Sequence, residues 1–365
     1  MTDATGANLL SGPRGRRVCL SLLTSANPSL RSLVQSWESG RGGTLYKAYL
    51  TDASRIASAS APPVPSSSSE VVEGIRGAAA EVTSSTLVAA LIESVDAARY
   101  WQEPDETDRL LAHSRIQAAL APVAETIASS PEAAWWSTPL DRERQRYVQW
   151  LDETPWEPPA LTGARPQLEQ WKARTLADEL QSRELPHGVT ANVSGYWWSA
   201  PQLVPLVTTT RALPSLAAVK LVLVEDTFGW QHARVWPLRP ASGARVFEIT
   251  GPDAWAELAG RYPLDVSLSR RHDWWRATGH DGSWLIPDWA AVASDYDAVH
   301  LTVLGYLTTA GRALPVGDSH TVLAGWGPDE TYWLADVLAE SGTPTEWHRN
   351  NSDSLVWRFI GPPRT

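Results

Sequence analysis

Residues 270–284 read RRHDWWRATGHDGSW and place two histidines, His272 and His280, each directly before an aspartate, Asp273 and Asp281. An imidazole beside a carboxylate is the pairing used for general acid–base work and for binding borderline metal ions. A metal centre needs three or four converging ligands, and this stretch has neither HxH nor HxD spacing. No metal is therefore expected. The GHDG segment at 279–282 is turn-forming, so the stretch reads as an arginine-rich loop anchored by Trp274, Trp275 and Trp284. Such a loop could line a site for an anionic or aromatic ligand, with Arg271, His272, Asp273, Trp274, Trp275, His280 and Asp281 as binding residues. Elsewhere, His300 in VHLTVL reads as a core strand histidine with Asp295 and Asp297 just upstream. Glu225–Asp226 closes the run KLVLVE as a carboxylate pair. The chain lacks GxxxxGK[ST], GxGxxG after a strand, HExxH, GxSxG and CxxC, which sets aside P-loop nucleotidases, common dinucleotide enzymes, zincins and α/β-hydrolases.

The elements that must position these groups change character along the chain. Helices are expected at 7–24, 30–37, 84–101, 105–129, 141–151 and 165–184, with Pro122 kinking or splitting the one at 105–129. Ile116, Leu120, Val123 and Ile127 mark its apolar face. The Ser/Pro-rich stretch 55–70 reads as an exposed loop. Beyond residue 190 short β-type runs appear at 220–225, 233–238, 245–249, 299–304, 321–326 and 356–360, the first two as an antiparallel pair. Helical patterns lie between them at 253–262, 288–296 and 329–341. The expected architecture is α+β: a mostly helical region over 1–185, then a Trp-rich, mixed and largely antiparallel sheet domain over 190–365 carrying the ligand site.

Composition bounds the function. A chain of 365 residues with 43% hydrophobic and 20% charged residues can bury a globular core. A formal net charge of −10 argues against a nucleic-acid binder, although arginines cluster at 14–17 and 270–276. The single Cys19 excludes internal disulfides and thiolate-rich zinc sites. The apolar run Val18–Leu23 is too short and too Ser-interrupted for a leader, and no stretch has the apolar length of a membrane span, so a cytoplasmic setting is expected. Of 20 tryptophans, thirteen follow residue 190; they are expected mostly in the core, with each indole N–H needing a partner.

Two resemblances extend this reading. GPRGRRVCLSLL near the start, and GARVFEITGPDAWAELAGRYPLDV, SWLIPDWAAVASDYDAVHLTVLGYLTTAGRA and LAGWGPDETYWL further on, resemble a group of uncharacterised actinobacterial proteins. That implies a bacterial cytoplasmic setting and no particular activity. TTTRALP, DVSLSR and GPDETYW stand in the order found in ADP-ribosyltransferases of the arginine–serine–glutamate type. This second resemblance implies Arg211 holding a pyrophosphate, Ser267 or Ser269 orienting a sugar, Glu330 as the catalytic carboxylate, and NAD as cofactor. The chain departs from that family in having Pro328 where a second glutamate is usual, and in lacking the threonine-centred serine motif. The function expected is binding of an anionic or aromatic small ligand, with glycosyl or ADP-ribosyl transfer as its enzymatic form. The alternative is a non-catalytic scaffold, with a protein or a second copy as partner and the tryptophans as packing.

Overall fold

In the computed structural model, residues 6–39, 68–150, 158–186, 188–191, 195–350 and 356–362 are described. They divide into two compact units: one takes residues up to Ser94 and Glu103–Ala134, the other Val95–Gln102 and the chain from Trp135. The expected change from helical region to sheet domain, between 185 and 190, falls inside the second unit.

The first unit is helical, with α1 (Gly6–Ser11), α2 (Pro13–Ala26), α3 (Pro28–Ser39), α4 (Ser68–Gly77), α5 (Ser84–Asp96), α6 (Glu106–Leu111) and α7 (Ser114–Ala128). The expected loop 55–70 lies outside the described residues except for 68–70, which open α4. Ile116, Leu120, Val123 and Ile127 are buried on one side of α7, as their spacing requires. Pro122 neither kinks out a break nor splits this helix; the interruption falls at 112–113, where Asp105 has already capped the short α6 through the Asp108 amide. The basic cluster at 14–17 turns inward. Arg14 is buried, pairs with Asp108 and donates to the Ser94 carbonyl at 2.9 Å, while Arg17 pairs with Asp105 and Asp108. Two guanidinium groups hold the Asp108 carboxyl below its usual range against the opposing effect of burial.

The second unit is built on β1 (Gln145–Trp150), α8 (Ala164–Gln181), β2 (Thr208–Arg211), β3 (His232–Pro240), β4 (Val246–Ile249), α9 (Pro252–Arg261), β5 (Pro263–Asp265), α10 (Ser267–Thr278), β6 (Leu285–Pro287), α11 (Trp289–Asp295), β7 (Ala298–Leu301), α12 (Val303–Thr309), β8 (Leu314–Val316), β9 (Ser319–Thr321), β10 (Thr331–Trp333), β11 (Leu338–Glu340), β12 (Thr345–His348) and β13 (Arg358–Gly361). A nine-stranded sheet runs β13-β12-β3-β1-β2-β10-β7-β4, with β11 added on β3. Its pairs are antiparallel except β4 with β7, so the fold is α+β: helices first, then a mixed, mostly antiparallel sheet.

Several expected elements differ. Residues 141–151 form β1, not a helix, and 329–341 hold β10 and β11, not a helix. Lys220–Glu225 is no strand: a short 3-10 turn at Val219–Leu221 buries Leu221 and Leu223, and β3 pairs instead with β1, β11 and β12. Short apolar runs do not tell a buried turn from a strand by pattern alone. The run 299–304 divides, with Thr302 capping α12 through the Gly305 amide at 2.9 Å. Of 321–326 only Thr321 belongs to a strand.

Tryptophans fill this unit's interior. Trp255, Trp289 and Trp326 contact one another, with ring centroids 5.5–6.4 Å apart. Their indole N–H groups donate to Thr321 Oγ1, the Ser199 carbonyl and the Glu330 carbonyl. These are core residues with satisfied polar handles.

Candidate functional site

The opening stretch is not a loop. Residues 267–278 are α10, and Arg270, Arg271, His272, Asp273 and Trp274 are all buried. Glu179 of α8 accepts from the Leu268 and Ser269 amides at 2.7 and 2.9 Å, capping the helix from outside. Ser267 donates to Asp265 and accepts from the Trp284 amide. Ser269 Oγ accepts from Arg270, which also pairs with Asp178. Arg271 donates to the Leu268 and Pro186 carbonyls, His272 Nδ1 to the Val189 carbonyl at 2.8 Å, and Trp274 Nε1 to the Trp197 carbonyl at 2.7 Å. Asp273 accepts from the Gly195 amide. These side chains tie Pro186, Val189, Gly195 and Trp197 to α10. Trp275 is half-buried near His272, and Gly279, in the left-handed region, ends the helix so that only 279–283 forms a surface turn. There Asp281 is exposed, while His280 meets a residue far away in sequence, His320, at 3.7 Å between ring centroids.

Pairing of β2 with β10 brings Arg211 to Asp329, the neighbour of Glu330, and leaves Glu330 itself on the other face of the sheet. Thr209 stands opposite Thr331, Thr331 opposite His300, and His300 opposite Glu248. Side chains alternate along each strand, so this row shares one face with Arg211, and Asp329 meets that face through its bonds to Arg211 and His300. Asp329 accepts from the Arg211 amide at 2.7 Å and from Arg211 Nε at 2.5 Å. His300 lies between two carboxylates, with Nδ1 at 2.6 Å from Glu248 and Nε2 at 3.4 Å from Asp329. Burial alone would lower the imidazole's pKa, but the hydrogen bonds and charges of Asp329 and Glu248 outweigh it and raise it to about 9. His300 is thus a buried imidazolium, in a charge-balanced quartet with Arg211, Asp329 and Glu248. The remaining guanidinium nitrogens donate to Thr138 Oγ1 at 2.6 Å and to the Thr138 and Pro139 carbonyls, beneath the Trp135 ring. Arg211 is fully engaged within the protein.

The opposite face carries a second polar cluster. Lys220 Nζ bonds Glu330 and, at 2.7 Å, Thr208 Oγ1; the other Glu330 oxygen accepts from the Gly327 amide at 3.1 Å. Glu225 accepts from the Gly325 amide at 3.0 Å, and Gln202 donates to the Tyr332 hydroxyl at 2.9 Å. Burial first, then the negative charges of Glu330 and Glu225, raise the Tyr332 pKa. Consecutive residues Asp329 and Glu330 therefore serve opposite faces of one sheet. Three non-glycine residues among those described have left-handed backbone: Leu203, Asp226 and Asp329, with φ of 64°, 56° and 62°. Each directly follows or precedes a member of this cluster, namely Gln202, Glu225 and Glu330. Such conformations cost about 1–3 kcal/mol each and persist where surrounding structure imposes them.

Lys220, Glu248, Thr208 and Asp329 were not singled out from sequence. Lys220 sat in an expected strand, and Asp329 in an expected helix. Asp295 and Asp297, read as near neighbours of His300, pair instead with Arg261 and Arg245. Among the described residues no group of three or more His, Cys, Asp or Glu could hold a metal ion, and no helix is long and apolar enough to cross a membrane. The chain matches no family model, no curated protein and no solved structure.

Proposed function

We propose that the second unit binds a small anionic ligand at Lys220 and acts on it through Glu330, in transfer of a glycosyl or ADP-ribosyl group. One observation carries this reading: the polar cluster of Lys220, Glu330, Glu225 and Gln202 is bordered in sequence by all three left-handed non-glycine positions among the described residues, and its lysine side chain is 19% exposed. An anionic group captured by the Lys220 ammonium draws it from Glu330. The freed carboxylate then faces the developing positive charge at the sugar carbon as the bond to the leaving group breaks. The electron pair leaves with the leaving group, and the acceptor hydroxyl or water adds to that carbon while its proton passes to Glu330 or to solvent. NAD is the donor the arginine–serine–glutamate order suggests. The quartet around His300 supports the site from the other face. This reading places the protein in the cytoplasm with a small molecule as its partner; net charge and the inward-turned arginine clusters give no support to nucleic acid.

The scaffold reading rests on a different observation, that Glu330 is only 6% exposed and both its oxygens are bonded. Turnover of NAD in the wild type, lost by about 100-fold or more in Glu330→Gln and accompanied by a raised KM in Lys220→Met, supports group transfer. Absence of both turnover and ligand-dependent tryptophan fluorescence change at millimolar NAD overturns it.

A further inference from the structure

We propose that His280 and His320 together bind one late first-row divalent cation, copper(II) most tightly, through two imidazole nitrogens. The rings come from segments forty residues apart, which is why local spacing hides the pair. Their centroids lie 3.7 Å apart, with planes tilted by 40°. The segment that ends at Trp284 and the strand that carries His320 are tied to each other. The His320 amide donates to the Ser283 carbonyl at 2.9 Å, Trp284 bridges to His320, and the β8–β9 hairpin carries that histidine. On the other side, the His280 amide donates to Thr278 Oγ1 at the end of α10. Both rings stand against the edge of Trp284, which is fully buried, at centroid distances of 5.3 and 6.2 Å. Gly282 leaves the space His280 uses, since a Cβ there would lie 2.7 Å from Nε2.

The nitrogens are also free to coordinate. Among the described residues neither ring forms a side-chain hydrogen bond to the protein, whereas His272 is bonded to a carbonyl and His300 to two carboxylates. Two close imidazoles without acceptors are a bidentate donor set for borderline metals. The affinity order for such nitrogen sites rises to copper(II) and falls at zinc(II). With only two protein ligands, the remaining positions belong to water or an added anion, so the bound ion stays open to exchange.

Untagged full-length protein titrated with copper(II) chloride in a non-chelating buffer, followed by calorimetry and electron paramagnetic resonance, tests this. The expected result is one equivalent bound with nitrogen hyperfine structure, and the same site taking nickel(II) and zinc(II) more weakly. His280→Gln and His320→Gln each weaken copper binding at least about tenfold, while the double variant His232→Gln/His348→Gln, which removes the stacked pair elsewhere in the sheet, binds as the wild type does. Far-UV circular dichroism verifies that each variant folds. Wild-type affinity in the His280→Gln/His320→Gln double variant, or copper without nitrogen ligation, overturns the proposal. NAD turnover is a separate readout, so failure here leaves the Lys220–Glu330 reading untouched.

Discussion

The quartet around His300 makes stability depend on pH in a direction opposite to that of an ordinary buried histidine. The imidazole pKa rises from 6.5 to about 9 on folding. Between those values the folded chain keeps a proton that the unfolded chain has released, so stability falls as pH rises. The contribution is complete below pH 6.5 and lost as pH passes about 9. A separation of roughly 2.5 units, at about 1.4 kcal/mol per unit, makes it about 3 kcal/mol. Urea unfolding of the wild type at pH 6, 7.5 and 9.5 should show that loss. In His300→Gln the slope across this window should flatten, because the titrating group is gone. The variant should also be less stable at pH 6 by about 3–5 kcal/mol, since Glu248 and Asp329 then face each other with Arg211 as the one remaining cation of the quartet. The His300 ring proton followed by NMR should titrate near 9. Identical pH slopes in the wild type and His300→Gln, or a ring titrating at its ordinary value, would refute the reasoning.

Two further outcomes follow from the packing. Cys19 is wholly buried in the first unit, and burial pushes its thiol up to about 12, so alkylating reagents at pH 8 should leave it unmodified in the native protein and label it only on unfolding. Gly305 sits where a Cβ would lie 2.2 Å from the Ile249 carbonyl oxygen; Gly305→Ala should lower stability by at least about 1–3 kcal/mol, read from the urea midpoint.

How far the sequence carried depends on the kind of signal each element leaves. α7 shows its buried face at i, i+4, i+7 and i+11, because a helix repeats every 3.6 residues and Ile116 to Ile127 keep that period. β2 left no such trace. Thr208, Thr209 and Thr210 are buried but polar, each hydroxyl satisfied by a neighbour that only folding supplies: Lys220 for Thr208 and Thr210, Gln145 and Trp333 for Thr209. A hydropathy pattern passes over such a strand. The stretch RRHDWW misled for a related reason. Its charged residues suggested solvent, yet Asp178, the carbonyls of Leu268, Pro186 and Val189, and the Gly195 amide receive them inside the protein.

The sequence by itself determined the class. Helical periods early and β-type runs late give an α+β chain, the tryptophans go to the core, and Arg211 and Glu330 were marked before any contact was known. Tertiary structure alone decided which groups meet. Pairing of β2 with β10 and of β4 with β7 sets Glu248, His300 and Arg211 on one face, and the turn before β10 sends Asp329 to Arg211 and Glu330 to Lys220. It likewise joins His280 to His320 across forty residues. The physical reason is that secondary structure follows local periodicity, whereas a site depends on register between strands distant in sequence, which no local pattern encodes.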